Sequence, residues 1–219
     1  GSSGVYISQE KINEKEAVLG IKTMISTTTK QAIQLKTSVF DASHKLVKEI
    51  ISNYAPNQIL QKITIPTPHL WDGRKDAYLY TVESKLLENN IEIDKISTKI
   101  GLRFFKVDAN QGFFLNGKPY DLHGVGFHED IFGKGSAYQK EDFQTDMDLL
   151  NELNITALRL THYPHGTPIY DLCDENGILV WSEIPMIGFG GHVGEGYVNS
   201  ADLQANAVQQ LTEMIKQNY

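Results

Sequence analysis

The rhythm of the chain changes near residue 105, and that change limits the fold more than any single motif does. Before it, short runs rich in Val, Ile, Thr and aromatics are split by turn signals. They are "EAVLGIKTMIS" (16–26), "QAIQLKTSVFD" (31–41), "QILQKITIP" (58–66), "YLYTVESKLLE" (78–88) and "DKISTKIGLRFF" (94–105). In the second run Ile33, Leu35, Thr37 and Val39 share one side and polar residues the other, as in a strand with one buried face. "HKLVKEIISN" (44–53) fits a helix by pattern, but a hairpin strand suits its place better. Such spacing, without long helical stretches, predicts an antiparallel sandwich over residues 1–105.

After residue 105 strands alternate with helices. "FFLNGKPY" (113–120) reads as a hairpin, because Asn116-Gly117 is a favoured type I′ turn pair. "DLHGVGF" (121–127), "ITALRLT" (155–161) and "ILVWSEI" (178–184) read as strands. "KEDFQTDMDLLNELN" (140–154) reads as a helix burying Phe143, Met147, Leu150 and Leu153. "TPIYDLCDENG" (167–177) is a short helix, with Pro168 in its first turn and Gly177 at its C-terminus. "SADLQANAVQQLTEMIKQN" (200–218) is a third helix, with Ser200 as cap and Leu203, Ala207, Leu211, Met214 and Ile215 as its buried stripe. Alternation of this kind means a parallel sheet covered by helices. The run "ILVW" predicts burial on both faces of its strand. Val125, Leu158, Leu160 and Val180 are expected on the inner face of that sheet.

The formal net charge of −7 argues against a nucleic-acid partner or an anionic membrane surface, since phosphates recruit basic patches. No apolar run approaches the roughly 18 residues of a membrane-spanning helix. The single cysteine, Cys173, excludes an internal disulfide and reads as a small buried apolar residue rather than a nucleophile.

Parallel strands share a direction, so their C-terminal ends share a rim, where α/β folds bind ligands. The first strand delivers His128, Glu129 and Asp130 to that rim. The second delivers His162 and Tyr163, with Arg159 inside the strand, and the third delivers Glu183. The bland alternative is that Arg159 and Glu183 form a buried ion pair that supports the sheet and touches no ligand. His128, His162, Glu183 and His192 are acceptable transition-metal ligands, but none has the tight spacing of a metal motif, so no metal is expected. "IGFGGHVGEG" (187–196) lacks the pattern of a phosphate cradle and is expected to be a long loop over the rim.

"LWDGRKDAYLYTVE", "GLRFF", "FFLNGKPYDLHGVGFHED", "DMDLLNELNITALRLTHYPH" and "YDLCDENGILVWSEIP" together resemble glycoside hydrolase family 2, which holds β-galactosidases, β-glucuronidases and β-mannosidases. The resemblance runs from about Val5 to Tyr219, and its closest flavour is a bacterial β-galactosidase. It implies a multidomain β plus α/β fold. An immunoglobulin-like antiparallel β-sandwich (1–105) is followed by a partial (β/α)8 TIM barrel, its first three βα units (106–219). It implies retaining hydrolysis by two glutamates roughly 5–5.5 Å apart, one acid/base and one nucleophile. The family places the acid/base in an Asn-Glu pair ending barrel strand four and the nucleophile on strand seven. The Asn-Glu pairs of this sequence are Asn13-Glu14 and Asn151-Glu152. Neither is expected at a strand exit, so the isolated chain is expected to lack both catalytic groups. His128 and His162 are then implied to bind sugar hydroxyls, with Glu129 and Asp130 lining the rim and Arg159, Tyr163 and Glu183 in support.

"SEIPMIGFGG" carries no Glu-x-His after the strand-three acid, so the magnesium site of the metal-dependent β-galactosidases looks missing, and no cofactor is implied. The implied partners are a β-galactoside substrate, the remaining domains of a parent enzyme and, as an open point, a second copy of the chain. β-Glucuronidase or another family 2 glycosidase activity, a non-catalytic carbohydrate-binding or interaction module, and a metal-dependent barrel enzyme stand as the alternatives.

Overall fold

The structure, a computed structural model, describes residues 3–28, 32–186 and 200–218. They fall into two compact units, divided between Tyr120 and Asp121.

The first unit is built on a seven-stranded sandwich. β1 (Val5–Ile12), β2 (Glu16–Ile25) and β5 (Asn57–Pro66) make one antiparallel sheet in the order β1-β2-β5. β3 (Ile33–Phe40), β4 (Leu46–Asn53), β6 (Tyr80–Glu88) and β7 (Ile91–Ile100) make the other, in the order β4-β3-β6-β7. The segment at 44–53 is therefore a strand, as its place predicts. β1 is a strand that the sequence reading did not single out. Its second half is largely exposed, which blurs the alternation.

Period-two patterning makes the core. Ala17, Leu19 and Ile21 of β2 and Ile63 and Ile65 of β5 meet Val39 of β3 and Tyr80 and Val82 of β6. Beyond Ile21, polar residues interrupt it. Thr37 donates to Gln61 Oε1 at 2.6 Å, and the Gln61 amide donates to the Leu35 carbonyl and to Ser52 Oγ. A second apolar cluster, Ile25, Leu35 and Ile59, lies past this seam.

β8 (Phe105–Asp108), β9 (Gly112–Leu115) and β10 (Lys118–Pro119) form a small antiparallel meander. Asn116 and Gly117 make the turn between β9 and β10, both at positive φ (50° and 77°), as a type I′ turn requires. The buried Asn116 amide donates to the Trp71 carbonyl and to Asp72, while its oxygen accepts the Phe104 N–H. These bonds tie the meander to the loop at 71–72, so the first compact unit runs past the change of rhythm at residue 105.

The second unit holds a three-stranded parallel sheet, β11 (Gly124–Phe127), β12 (Ala157–Leu160) and β13 (Leu179–Ser182), in that order. α1 (Lys140–Glu152) and α2 (Thr167–Asn176) supply the crossovers. Phe143, Met147 and Leu150 of α1 and Ile169 and Cys173 of α2 pack with Phe127, Leu158 and Leu160. Cys173 is a fully buried core residue. Gly177 ends α2 with φ 71°, the left-handed C-cap that glycine favours.

Four sequence expectations fail here, for related reasons. Leu153 is 62% exposed, because α1 has ended and Leu153 is its C-cap. Leu158 and Leu160 do not line an inner face. The register sets Val125, Leu158 and Val180 side by side on the face that carries the helices, and Gly126, Arg159 and Trp181 on the other. Alternation alone does not tell which face meets the helices. "ILVW" is not buried on both faces, since Trp181 is 69% exposed on the face opposite the helices. In α3 (Ala201–Gln217), Ser200 accepts the Leu203 N–H as expected, yet of the predicted stripe only Met214 is buried. The stretch 187–196, with His192, lies outside the described residues.

Candidate functional site at the strand exits

The three parallel strands end together, and the ionisable groups after them converge. His128 follows β11 directly, His162 follows β12 by two residues, and Glu183 follows β13 directly. The peptide bond before His162 is cis.

Glu183 is the hub. Its Oε1 accepts from Arg159 Nε at 2.5 Å, and its Oε2 lies 2.7 Å from His162 Nδ1. The Arg159 guanidinium, then the His162 imidazole, hold the Glu183 carboxyl below the usual carboxylate range. An ionised carboxylate only accepts, so His162 Nδ1 carries a hydrogen and Nε2 is left available to a ligand. The Arg159–Glu183 pair of the bland reading exists, but Arg159 is half exposed, so the pair is not sealed in a core.

His128 packs edge-on to His162, with ring centroids 5.5 Å apart. Tyr163 lies beside it, its hydroxyl 3.5 Å from His128 Nδ1 and accepting the Glu129 N–H at 3.1 Å. Glu129 turns its side chain inward, and its Oε1 accepts the Gly166 N–H at the N-cap of α2. Asp130 is exposed beside it.

The structure thus draws His128, His162, Arg159, Tyr163 and Glu183 into one continuous cluster and ties Glu129 to the start of α2. The sequence reading missed His165, which is buried against Phe127, Tyr163 and Glu129. Its signal was the run "HYPH", in which it follows His162 by three residues. Among the described residues no three His, Cys, Asp or Glu side chains converge on a metal-sized centre. The cluster can instead offer imidazole, phenol and guanidinium groups to a ligand rich in hydroxyls.

Neither Asn-Glu pair lies at an exit of the parallel strands. Asn13-Glu14 sits in the turn between β1 and β2, and Asn151-Glu152 closes α1.

Two family models cover the chain. "Glycosyl hydrolases family 2" matches residues 3–103, and "Glycosyl hydrolases family 2, TIM barrel domain" matches 105–218. A β-glucuronidase of Bacteroides fragilis is 37% identical over 100% of the chain, which covers 32% of that relative. A β-galactosidase of Bacteroides ovatus is 31% identical over 84% of the chain and 22% of its own length. Among solved structures, Bacteroides uniformis β-glucuronidase 2, covalently bound to cyclophellitol-6-carboxylate aziridine, superposes with a TM-score of 0.89 at 28% identity, over 100% of this chain and 26% of that one. The chain spans about a third or less of the length of these relatives. The matches run through the sandwich and the strand exits alike, and the chain belongs to glycoside hydrolase family 2.

Proposed function

We propose that this chain supplies part of the sugar-binding site of a larger retaining β-glycosidase. The observation that carries the reading is the hydrogen-bonded line Arg159–Glu183–His162, with His128 against it, at the ends of three parallel strands. In this reading His162 accepts a sugar hydroxyl at Nε2, His128 binds a second, and Glu129 and Asp130 line the rim. Arg159, Tyr163 and Glu183 support them. The sandwich (1–105) and the barrel segment (106–219) work with the remaining domains of the parent enzyme, either as one copy or as a homo-oligomer. The acid/base and nucleophile glutamates come from outside these residues.

The finer question is the sugar. The sequence reading favours a terminal β-D-galactoside. The B. fragilis relative and the B. uniformis structure, both β-glucuronidases, support a β-glucuronide, and the B. ovatus β-galactosidase supports the galactoside. Weight of identity tips the reading to the glucuronide.

Two assays test it. The isolated chain should turn over neither aryl β-glucuronide nor aryl β-galactoside. In the full-length enzyme that contains it, kcat/KM should favour the glucuronide. His162→Ala should lower that kcat/KM about tenfold or more, the equivalent of one lost charge-assisted hydrogen bond. A folded His162→Ala variant with wild-type kinetics refutes the site. Preference for the galactoside restores the first reading, and turnover of neither by the full-length protein refutes the activity.

A further inference from the structure

Behind the rim, the His165 side chain has no exposed surface. Its Nε2 lies 3.0 Å from the Thr161 carbonyl. A carbonyl only accepts, so Nε2 carries the hydrogen. In a neutral imidazole Nδ1 is then a bare lone pair. That nitrogen is buried, has no hydrogen-bond partner among the described residues, and faces Glu129 Oε1 at 3.5 Å. The same oxygen accepts the Gly166 N–H at 2.8 Å. Two acceptors that face each other in a buried place repel, and a single proton between them reverses the sign. The Gly166 N–H already donates to that oxygen, so a proton placed between the two groups belongs on the imidazole nitrogen.

This pair reaches the sugar site through one ring. Tyr163 stacks on His165 with centroids 4.7 Å apart and planes 5° from parallel. The Tyr163 hydroxyl in turn holds the Glu129 N–H and meets His128. The titratable groups that face His165 are Glu129 and His128 from the exit of β11 and Tyr163 from its own loop. Phe127 adds an apolar wall.

We propose that His165 and Glu129 share one proton and act as a positioning pair, which holds Tyr163 and, through it, the imidazole of His128. The positioning role rests on the glycosidase reading, whereas the shared proton is a property of this chain alone. Burial holds His165 below the ordinary imidazole range, opposed by the Thr161 carbonyl and by Glu129. The imidazole therefore carries the shared proton only in acidic solution, below its ordinary range, and loses it as pH rises, which leaves the pair net negative. Its two lone pairs are then left opposed, and the support of Tyr163 and His128 weakens.

Side-chain nitrogen NMR of the 219-residue chain tests the shared proton without any activity. His165 should be the Nε2–H tautomer at high pH and titrate below the usual imidazole range. Glu129→Gln, which removes the charge but keeps the shape, should lower that titration by about half a unit or more. The His128 resonances should follow the His165 titration in the wild type and cease to follow it in Glu129→Gln. A Nδ1–H tautomer in the wild type, or a titration unmoved by Glu129→Gln, overturns the shared proton. His128 resonances indifferent to both overturn the positioning.

Kinetics of the full-length enzyme then separate positioning from mere packing. His165→Phe keeps the ring stack and removes the proton. It should raise KM for an aryl glycoside about tenfold in acidic solution, with kcat changed far less, and abolish the pH dependence of KM. An equal loss at every pH makes the role structural and overturns the proposal. Absence of turnover by the wild type counts against the glycosidase reading, while the NMR result decides the shared proton by itself.

Discussion

In the sandwich, two sheets bury each other's inner faces, so Ala17, Leu19 and Val39 have no exposed surface. The parallel sheet of the second unit buries only the face that carries α1 and α2. Leu158 and Leu160 are as buried as any sandwich residue, yet Trp181 is 69% exposed and Arg159 is half exposed on the opposite face. The two units belong to one chain and one family and differ in how their sheets are covered. A sheet closed by a second sheet uses its alternation for stability. A sheet covered on one side keeps a face and a rim where charged side chains can meet a ligand, and all the residues proposed for the site lie in that second unit.

The contrast should show most strongly in hydrogen exchange. Amides of β3 and β6, central in their sheet, should exchange about a hundredfold or more slowly than those of β11, β12 and β13. Uniform protection in a dilute monomer would erase the comparison. Truncation separates the faces next. Leu19→Ala should cost about 2–5 kcal/mol of sandwich stability, as buried leucines do, with Leu160→Ala costing the second unit similarly. Trp181→Ala should stay within about 0.5 kcal/mol despite removing a larger side chain. A large loss at Trp181, measured by denaturant unfolding, would mean that its face is covered in solution.

A smaller effect is local to the second unit. Gly177→Ala forces a Cβ into the left-handed C-cap of α2 and should cost roughly 1 kcal/mol, lowering the second transition and leaving that of the sandwich in place. The smallest effect is electrostatic. Lys134, then the Gln139 N–H, hold the Asp142 carboxyl below its ordinary range at the start of α1. Because the folded value is the depressed one, this support is complete above the ordinary aspartate range, near pH 4, and fades as pH falls below it. Lys134→Ala should therefore shift the acid loss of the helical circular-dichroism signal to slightly higher pH. Among the described residues the α-helices all lie in the second unit, so that signal reports on it alone. An unchanged acid limb would leave α1 held by packing alone.

The order and type of most elements, β1 apart, were legible because they depend on local periodicity and punctuation. The alternation at 33–39 made a strand, Asn116-Gly117 made a tight turn, and Pro168 and Gly177 bounded α2. The sequence also placed His128, His162 and Glu183 at strand exits, since a parallel direction follows from β–α alternation. The tertiary structure decided what each face meets. Leu158 and Leu160 alternate equally well whichever way the sheet is turned, and only packing against α1 and α2 assigned their side. The apolar stripe of α3 looks buried by its period, but a stripe is buried only where something covers it, and here Met214 is buried, Leu203 and Ala207 only in part, and Leu211 and Ile215 are exposed. His165 stayed hidden for a similar reason. Its chemistry comes from a carbonyl four residues earlier and a carboxylate on another strand exit, and no spacing along the chain encodes a contact made in space.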